Sequence, residues 1–219
     1  MSQSRYINRS RYFDEMNSTA WKYLVPWVEK EVNLIGARVL ELGCGEAGNL
    51  LAFEAKGAEV VGLDSNPKRI EQGRRFINER FAESNIQLIA ADAQDCNELD
   101  IGKFDLIILK DFIEHIENDL LFPVLNKLLK DNGRIFIGYP PWLMPFGGHQ
   151  QICKHRLGRL PWIHLLPERL FIGFLTLVGE DSERKEHLLE TYRLGLTIET
   201  LKARLTQAHF TVQKEDFFF

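Results

Sequence analysis

The residues of this sequence best suited to chemistry lie in a glycine-rich segment that begins with a carboxylate. Glu41 is followed by Gly43, Gly45 and Gly48 in the run ELGCGEAG. Glycines let the backbone turn tightly and let a ligand approach without meeting a Cβ atom. The spacing also satisfies the GxGxxG pattern of dinucleotide-binding turns, a pattern that on its own is weak evidence for one ligand. We therefore expect a small-molecule site here, and the flanking residues must indicate which molecule it binds.

Those flanking residues favour a ligand with a nucleoside and a methionine moiety over a dinucleotide. Asp64 lies about twenty residues further on, where a carboxylate can accept hydrogen bonds from both hydroxyls of a ribose. Asp92 and Ala93 follow a third apolar segment, where a carboxylate and the next backbone N–H can bind the edge of an adenine. Glu41 can bind the ammonium of a methionine moiety, whereas a pyrophosphate would gain nothing from it. The sequence contains no YxxxK pair that would support hydride transfer.

Alternating strands and helices must position these residues. The predicted strands are 38–42, 58–63, 86–90, 104–109 and 134–139, and a sixth runs from residue 210 towards the end. The predicted helices are 16–32, 49–56, 67–81, 119–130, 181–193 and 197–208. Pro67 suits the first turn of its helix, Thr197 is a plausible N-cap, and Gly133 would end the helix 119–130 in a left-handed cap. This alternation predicts an α/β fold, a doubly wound and mostly parallel sheet whose ligands bind at the carboxyl ends of the strands.

The regular alternation stops after the fifth predicted strand. Residues 141–196 begin with aromatic residues and prolines and continue with a polar helical stretch, so we interpret them as an insertion or lid. Residues 1–140 and 197–219 would then form the ligand-binding α/β domain, with residues 1–35 as an N-terminal helical cap.

Four segments in order carry a resemblance to a known family. VLELGCGEAGN, VVGLDSN, AADAQD and FDLIILKDFIEHI resemble the successive motifs of class I S-adenosylmethionine-dependent methyltransferases, and LLKDNGRIFIGYP is similar to the helix–turn–strand that follows. The similarity is greatest to the small-molecule branch that includes quinone-biosynthesis methyltransferases. It covers about residues 36–140, with a weaker similarity in 197–219. The resemblance implies a Rossmann-like methyltransferase fold, S-adenosylmethionine as the cofactor, and an acceptor that it does not identify.

The resemblance also implies roles for residues at the matching positions. Glu41 would lie near the amino group of the cofactor, Asp64 would bind the ribose, and Asp92 with Ala93 would bind the adenine edge. The residues implied to border the rest of the cofactor are Gly43, Cys44 and Gly45 on the methionine part, Ser65 or Asn66 on the adenine, and Lys110 and Asp111 beside the sulfonium. In one respect the chain departs from the family. The family's sheet normally ends with an antiparallel strand after the segment corresponding to 211–219, and this sequence stops before it.

Two histidines are candidates for catalysis. The methyl carbon of a sulfonium is already activated, so a base is needed only if the acceptor must lose a proton. His115 lies in the pair Glu114-His115 after the fourth strand, a pair that in the family often has a structural role. His149 follows Gly147 and Gly148, which would let this loop close over a substrate. A mobile surface loop without a function would show the same pattern.

The insertion is a candidate for acceptor binding. Its large aromatic residues are Trp142, Phe146, Trp162, Phe171 and Phe174. Those near 142–146 suit an apolar pocket for an aromatic or lipid-like acceptor, whereas we expect most of the others to form an accessory core or a dimer contact. Lys154, Arg156 and Arg159 leave contact with a membrane surface open as an alternative.

Nucleic acid is disfavoured as a partner. The formal net charge is −4, and a duplex-binding protein usually carries a basic face. Tyr139-Pro140-Pro141-Trp142 is similar to the (Asp/Asn/Ser)-Pro-Pro-aromatic motif of enzymes that methylate amino groups of nucleic acids. Tyrosine is the wrong first residue for that motif, which in those enzymes follows the fourth strand rather than the fifth.

The remaining expectations concern the compartment, metals and rival functions. Three scattered cysteines and the absence of a signal-peptide pattern predict a soluble, cytoplasmic protein. No metal site is predicted, because His149, Cys153 and His155 match no established zinc spacing. The rivals to a small-molecule methyltransferase are an NAD-dependent oxidoreductase and a non-catalytic S-adenosylmethionine-binding module. The oligomeric state and the choice of O, N or C as acceptor atom stay open.

Overall fold

The computed structural model describes residues 8–116 and 118–217, except for the side chains of residues 97, 118 and 119. The described chain divides into two compact units. The first unit contains the residues up to 112 and residues 123–138, and the second contains residues 113–122 and those from 139 onwards.

A parallel sheet forms the centre of the first unit. Its strands are β1 (Arg38–Leu42), β2 (Glu59–Asp64), β3 (Gln87–Ala90), β4 (Phe104–Lys110) and β5 (Leu129–Gly138). They lie in the order β3-β2-β1-β4-β5, and every neighbouring pair is parallel. β1 and β4 are buried along almost their whole length, as expected of central strands covered on both faces. The predicted α/β fold with a doubly wound parallel sheet is confirmed.

Helices cover this sheet and share its core. They are α1 (Arg9–Thr19), a π-helical turn (Ala20–Leu24), α2 (Val25–Val28), α3 (Leu50–Glu54) and α4 (Pro67–Arg80), and α5 (Asn118–Leu128) precedes β5. Large buried side chains of the core include Phe13, Phe53, Ile70, Leu106 and Ile108. Pro67 begins α4 as expected, and the Asn66 side chain caps the helix by accepting hydrogen bonds from the N–H groups of Lys68 and Arg69.

The predicted helix 16–32 differs from the structure in its limits and its regularity. The helical segment begins at Arg9 and widens into the π-helical turn before Pro26, which lies in the first turn of α2. A proline lacks an N–H and clashes with the preceding turn of an α-helix. The wider turn accommodates it without ending the helical segment.

The prediction that Gly133 forms a left-handed helix cap is wrong. α5 runs directly into β5, and Gly133 is not among the residues with positive φ. In the pairing with β4, Phe104 lies opposite Leu129 but Leu106 lies opposite Arg134, so residues 130–133 form an irregularity within β5. A Cβ atom on Gly133 would lie 2.7 Å from Leu129 Cδ1 and 3.0 Å from Lys130 O, so the glycine permits close packing within this irregularity.

The second unit is built mainly from short helices. 3₁₀ turns at Ile113–His115, Gln150–Ile152, Leu157–Arg159 and Ile163–Leu165 accompany α6 (Glu168–Leu177), α7 (Ser182–Leu194) and α8 (Ile198–Gln207). Its core contains Cys153, Phe171, Leu175, Leu188 and Leu189. α8 begins as predicted, since the Thr197 hydroxyl accepts a hydrogen bond from Thr200 N–H at 3.1 Å.

The predicted strand from residue 210 does not form. Residues 210–217 carry no regular secondary structure, and the side chains of Val212 and Phe217 are exposed. The β-branched and aromatic residues of this segment favour a strand only when a neighbouring strand pairs with it and covers one face. None of the helices in the described part of the chain combines the length and the hydropathy of a membrane-spanning segment.

Candidate functional site

The carboxyl ends of β1 and β2 are joined by hydrogen bonds from the glycine-rich turn. Gly43 and Cys44 both donate their backbone N–H to Leu63 O, at 2.8 and 3.0 Å. Asp64, at the end of β2, accepts hydrogen bonds from the N–H of Gly45 and of Asn66, both at 2.9 Å. Each carboxylate oxygen keeps a further lone pair, so Asp64 shapes the turn and can still accept hydrogen bonds from a ligand's hydroxyls.

The three glycines of the turn are required for different reasons. A Cβ atom on Gly43, where φ is +72°, would lie 2.3 Å from the ring of Phe112, and one on Gly48 would lie 2.5 Å from Phe13 O. Both glycines therefore permit close packing within the protein. Gly45, with φ of +56°, has no atom within 4 Å of the position of a Cβ among the described residues. Gly45 is thus the glycine beside which the backbone leaves open space for a ligand.

Glu41 is a buried carboxylate with a hydrogen-bond partner on only one of its two oxygens. Its side chain is 1 % exposed, and Oε1 accepts a hydrogen bond from Asn49 Nδ2 at 2.5 Å. Oε2 has no hydrogen-bond partner among the described residues. Burial raises the pKa of Glu41 to about 7, against the lowering effects of Asn49 and Lys110. A cationic donor at Oε2 would restore the ionised form, as expected of a residue that binds an ammonium group.

Lys110 is the last residue of β4, Asp111 follows it, and their side chains bind each other. Lys110 Nζ forms an ion pair with the Asp111 carboxylate, and Asp111 N–H donates to Gly138 O at 2.7 Å. Burial alone would lower the pKa of Lys110, but the pairing with Asp111 outweighs it and the pKa is raised. Asp111 adopts a left-handed φ of +51°, which is uncommon for a residue with a side chain. The two residues therefore form a fixed charged pair at the strand end.

The residues predicted around the adenine have local structural roles. Asp92 is exposed after β3 and accepts a hydrogen bond from Gln94 N–H at 2.9 Å, which caps a 3₁₀ turn. Ala93 is buried and Ser65 is exposed. Ala91 N–H donates to Asp64 O at 3.2 Å, so the chain that leaves β3 is held beside the end of β2. The structure brings these residues to the same sheet edge as the glycine turn, as the parallel sheet predicts.

Cys44, another predicted cofactor residue, is a buried thiol. Burial, with Glu41 and Asp64 nearby, raises its pKa well above the usual value. Burial and the raised pKa both disfavour the thiolate, so Cys44 is expected to contribute packing and backbone contacts to a ligand. Cys44, Cys96 and Cys153 are all buried and outside disulfides.

A second cluster of polar side chains lies within the second unit and includes both predicted histidines. His149 Nε2 is 3.5 Å from Glu114 Oε1, and His115 Nε2 is 4.0 Å from the same oxygen. The rings of His115 and His149 meet edge to face at 4.9 Å. Glu114 is 3 % exposed, and neither of its carboxylate oxygens has a hydrogen-bond partner in the described part of the chain.

Sequence reasoning found the two histidines but did not assign a role to Glu114. The only signal was that Glu114 directly precedes His115. Gly147 and Gly148 are both buried, and closure of their loop over a substrate stays a prediction. A Cβ atom would lie 2.3 Å from Pro141 O at Gly147 and 2.3 Å from His164 Cβ at Gly148, so close packing explains both glycines.

The aromatic residues of the predicted insertion divide into two groups. Trp142 meets the rings of His164 and Tyr192 edge to face, and Phe171 is buried and stacked on Tyr192. Phe171 belongs to an accessory core, as expected for most of the aromatic residues. Trp142 was expected to line an acceptor pocket and instead packs against His164 and Tyr192. Phe146 and Trp162 have exposed side chains.

Comparison with known families and curated proteins gives matches over about half of the chain. A family described as a methyltransferase domain matches residues 35–158, more than half of the chain. An uncharacterised protein of Rickettsia prowazekii is 34 % identical over 116 residues, which is 49 % of this chain and 46 % of that protein. A ubiquinone biosynthesis O-methyltransferase of Dechloromonas aromatica is 27 % identical over 116 residues, 52 % of this chain and 48 % of the relative. The chain thus spans about half the length of the curated relatives it matches.

Two solved structures share the fold over most of the chain. PKMT2 from Rickettsia typhi, in complex with AdoHcy, has 23 % identity and a TM-score of 0.56, covering 87 % of this chain and 43 % of its own. The plantazolicin methyltransferase BamL has 17 % identity and a TM-score of 0.51, covering 91 % of this chain and 73 % of its own. Because the sequence identities are below 25 %, these two comparisons show a shared fold only.

Proposed function

Because this chain belongs to the methyltransferase domain family, we propose that it binds S-adenosylmethionine and transfers the cofactor's methyl group to a small-molecule acceptor. The observation that carries the proposal is the buried Oε2 of Glu41, which lacks a partner in the described structure. It suits the ammonium of a methionine moiety and gives no advantage to a phosphate.

The donor set at the ends of β1 and β2 fits the rest of this cofactor. Asp64 is 6 % exposed and its oxygens can accept hydrogen bonds from ribose hydroxyls, while Gly45 leaves open space for the methionine part. Gly43 and Cys44 contribute backbone to the same turn. When bound, the cofactor supplies a methyl group attached to a positively charged sulfur. On transfer, the sulfur keeps the electron pair of the broken S–C bond.

The residues around the adenine and the sulfonium complete the proposed cofactor site. Asp92, Ala93, Ser65 and Asn66 would border the adenine through backbone and side-chain groups that their capping roles leave available. Lys110 and Asp111 would lie beside the sulfonium, and their ion pair keeps the net charge they present there close to zero.

The alternative of an NAD-dependent oxidoreductase is disfavoured by two of the same residues. Gly48, the third glycine of the dinucleotide pattern, is explained by its contact with Phe13 O rather than by a ligand. Glu41 would place a carboxylate beside the pyrophosphate of a dinucleotide, which gains no favourable interaction from a second anion.

We further propose that residues 141–196 supply the acceptor region, and that residues 1–140 with 197–219 form the cofactor domain. The exposed rings of Phe146 and Trp162 favour an aromatic or lipid-like acceptor. The relatives named as O-methyltransferases favour an oxygen atom as the methyl acceptor. His149 and His115 are proposed to act on that acceptor's hydroxyl proton. Three buried cysteines outside disulfides fit a cytoplasmic protein.

Calorimetric titration of the purified chain with S-adenosylmethionine, S-adenosylhomocysteine and NAD tests the cofactor assignment. We expect micromolar binding of the first two and none of NAD. Glu41→Gln should weaken binding of the first two about tenfold, because a charge-assisted hydrogen bond is lost. The matched control is Glu59→Gln, at the exposed start of β2. Binding of NAD alone, or equal affinities for both variants and the wild type, would contradict the proposal.

A screen for methyl transfer then separates an enzyme from a binding module. Release of S-adenosylhomocysteine is measured with phenolic and lipid-like hydroxyl compounds as acceptors. Turnover with any of them identifies an enzyme of the proposed kind. Tight cofactor binding without turnover across the whole panel would favour a non-catalytic module.

A further inference from the structure

A buried ion pair connects the glycine-rich turn to the first helix of the chain. Arg9, the first residue of α1, donates from Nε to Glu46 Oε1 at 2.7 Å, and its Nη2 pairs with the other carboxylate oxygen. The Glu46 side chain is 2 % exposed, whereas that of Arg9 is 22 % exposed. A two-pronged pair of this kind fixes the relative orientation of both side chains. The pair therefore joins α1 to the turn by a specific contact between residues 37 positions apart.

The backbone of the turn has little freedom to adjust around Glu46. A Cβ atom on Gly73 of α4 would lie 2.8 Å from Glu46 O, and one on Gly48 would lie 2.5 Å from Phe13 O of α1. Two helices thus pack directly on the turn. Between these contacts, Ala47 is fully buried and adopts a left-handed φ of +65°, which is unfavourable for a residue with a Cβ atom. Such a conformation persists only where the surrounding contacts enforce it.

The residue before Glu46 links this packing to the proposed cofactor site. Gly45 N–H donates to Asp64 Oδ2 at 2.9 Å, and Gly45 borders the space proposed for the methionine part of the cofactor. A rotation of the backbone at Glu46 would therefore displace the Gly45 N–H and the carboxylate proposed to bind the ribose. Arg9 can influence the cofactor site in this way without touching the cofactor.

We propose that Arg9 is a positioning residue for S-adenosylmethionine, and that it acts through Glu46 on the shape of the turn. The inference rests on the proposed function and adds a residue from outside the cofactor site. With Arg9 in place, the Glu46 carboxylate is neutralised and stays buried. Without Arg9, the carboxylate loses its charge-assisted hydrogen bonds, and it must either remain as an unbalanced buried charge or rotate towards water. Rotation would distort the turn at Gly45, so the affinity for the cofactor would fall.

A second ion pair fixes the same helix but does not reach the turn. Arg80, at the end of α4, donates to Asp14 Oδ1 at 2.6 Å and also donates to Ser10 Oγ. The Asp14 side chain is largely exposed. Removal of the Arg80 side chain would loosen α1 while leaving the pair of Arg9 and Glu46 in place. Arg80→Gln is therefore a matched control for Arg9→Gln.

Calorimetric titration of the full chain with S-adenosylmethionine and S-adenosylhomocysteine tests the proposal. Arg9→Gln should weaken binding of both compounds about tenfold or more, because the buried Glu46 carboxylate is left without its partner. Arg80→Gln should bind both within about twofold of the wild type, because an exposed ion pair contributes little. A purely electrostatic effect would differ between the compounds, since loss of Arg9 makes the site more negative and favours the positively charged sulfonium over the neutral thioether.

A rescue experiment separates positioning of the turn from simple anchoring of α1. Glu46→Gln removes the buried charge, and the partly exposed Arg9 can turn to solvent, so binding should weaken only about threefold. The double variant Arg9→Gln/Glu46→Gln should bind S-adenosylmethionine more tightly than Arg9→Gln and within about threefold of the wild type. A role confined to anchoring α1 predicts no recovery, because the double variant restores no contact with the helix.

Melting temperatures of all variants show whether a change in affinity merely follows a change in stability. If Arg9→Gln does not fold, Arg9→Lys replaces it and should weaken binding about threefold, because an ammonium lacks the planar fork that binds both carboxylate oxygens. Affinity equal to that of the wild type in the Arg9 variant, an equal loss of affinity in Arg80→Gln, a loss confined to one of the two compounds, or no recovery in the double variant would overturn the inference.

The outcomes also separate this inference from the proposed function. A wild type that binds neither compound would refute the proposed function, and the role of Arg9 with it. A wild type that binds both compounds, with the Arg9 variants indistinguishable from it, would refute the role of Arg9 and leave the proposed function standing.

Discussion

Two buried glutamates, one in each unit, show how differently the two parts of this molecule build polar sites. Glu41 lies on a regular strand, and one of its oxygens accepts a hydrogen bond from Asn49. Glu114 lies in a 3₁₀ turn, and both of its oxygens lack hydrogen-bond partners in the described chain. The first site is assembled mainly by backbone groups at the ends of parallel strands. The second is assembled from side chains that belong to separate irregular segments.

The largest effect is expected when the imidazole of His149 is removed from the second site, which tests whether the two sites act independently. We expect His149→Ala to lower turnover about 100-fold or more, within the range of an effect on proton transfer, and to leave cofactor affinity within about twofold. Turnover is measured as release of S-adenosylhomocysteine with a hydroxyl acceptor that supports activity of the wild type. His187→Ala is the matched control. A large loss of cofactor affinity in His149→Ala would show that the two sites are not independent.

A somewhat smaller effect is expected at the end of β2. Asp64→Ala should weaken S-adenosylmethionine binding about 30- to 100-fold, because charge-assisted hydrogen bonds to the ribose are lost and Gly45 N–H loses its acceptor. Calorimetric titration measures the dissociation constant, with Glu59→Ala as the control at the other end of the same strand. Unchanged affinity would reject the ribose role of Asp64.

The ionisation of Glu41 makes both the stability of the protein and its affinity for the cofactor depend on pH. Its pKa is about 7 in the folded protein and near the ordinary 4.5 when unfolded, so the folded state binds the proton more tightly. Its contribution to the free energy of unfolding is therefore fully present below about pH 4.5 and is lost as the pH rises towards 7. Binding of a cationic amino group requires the ionised form and follows the opposite trend.

We therefore expect the affinity for S-adenosylmethionine to rise several-fold between pH 6 and pH 7.5, while the stability of the free protein falls over the same range. In Glu41→Gln, both the affinity for S-adenosylmethionine and the stability of the free protein should vary less with pH. Titrations and urea unfolding at matched pH values measure them, and Glu59→Gln should behave as the wild type. An affinity that is independent of pH in the wild type would contradict an ammonium-binding role for Glu41.

The site in the first unit was predictable because regular structure determines it. Parallel strands bring their carboxyl ends to one edge, so Glu41, Asp64 and Asp92 converge whatever their other contacts. The packing of Phe112 against Gly43 was not predictable, because nothing in the local sequence shows which ring will fill the space above a turn. The contact of Glu114 with His149 was missed for a similar reason. It joins two irregular segments, and neither has a period from which the direction of a side chain follows.

Residues 210–217 form no strand because no neighbouring strand pairs with them in the described structure. The smallest predicted effect on stability therefore concerns this segment. Val212 has the residue type of a strand, but its side chain is 46 % exposed and no strand pairs with its segment in the described structure. Val212→Ser should therefore change the free energy of unfolding by less than about 0.5 kcal/mol, whereas Val60→Ser, on buried β2, should cost roughly 2 kcal/mol or more. Urea unfolding of both variants measures the difference. A loss at Val212 as large as the loss at Val60 would mean that the segment pairs with a strand in solution, and that the strand preference read from the sequence was right.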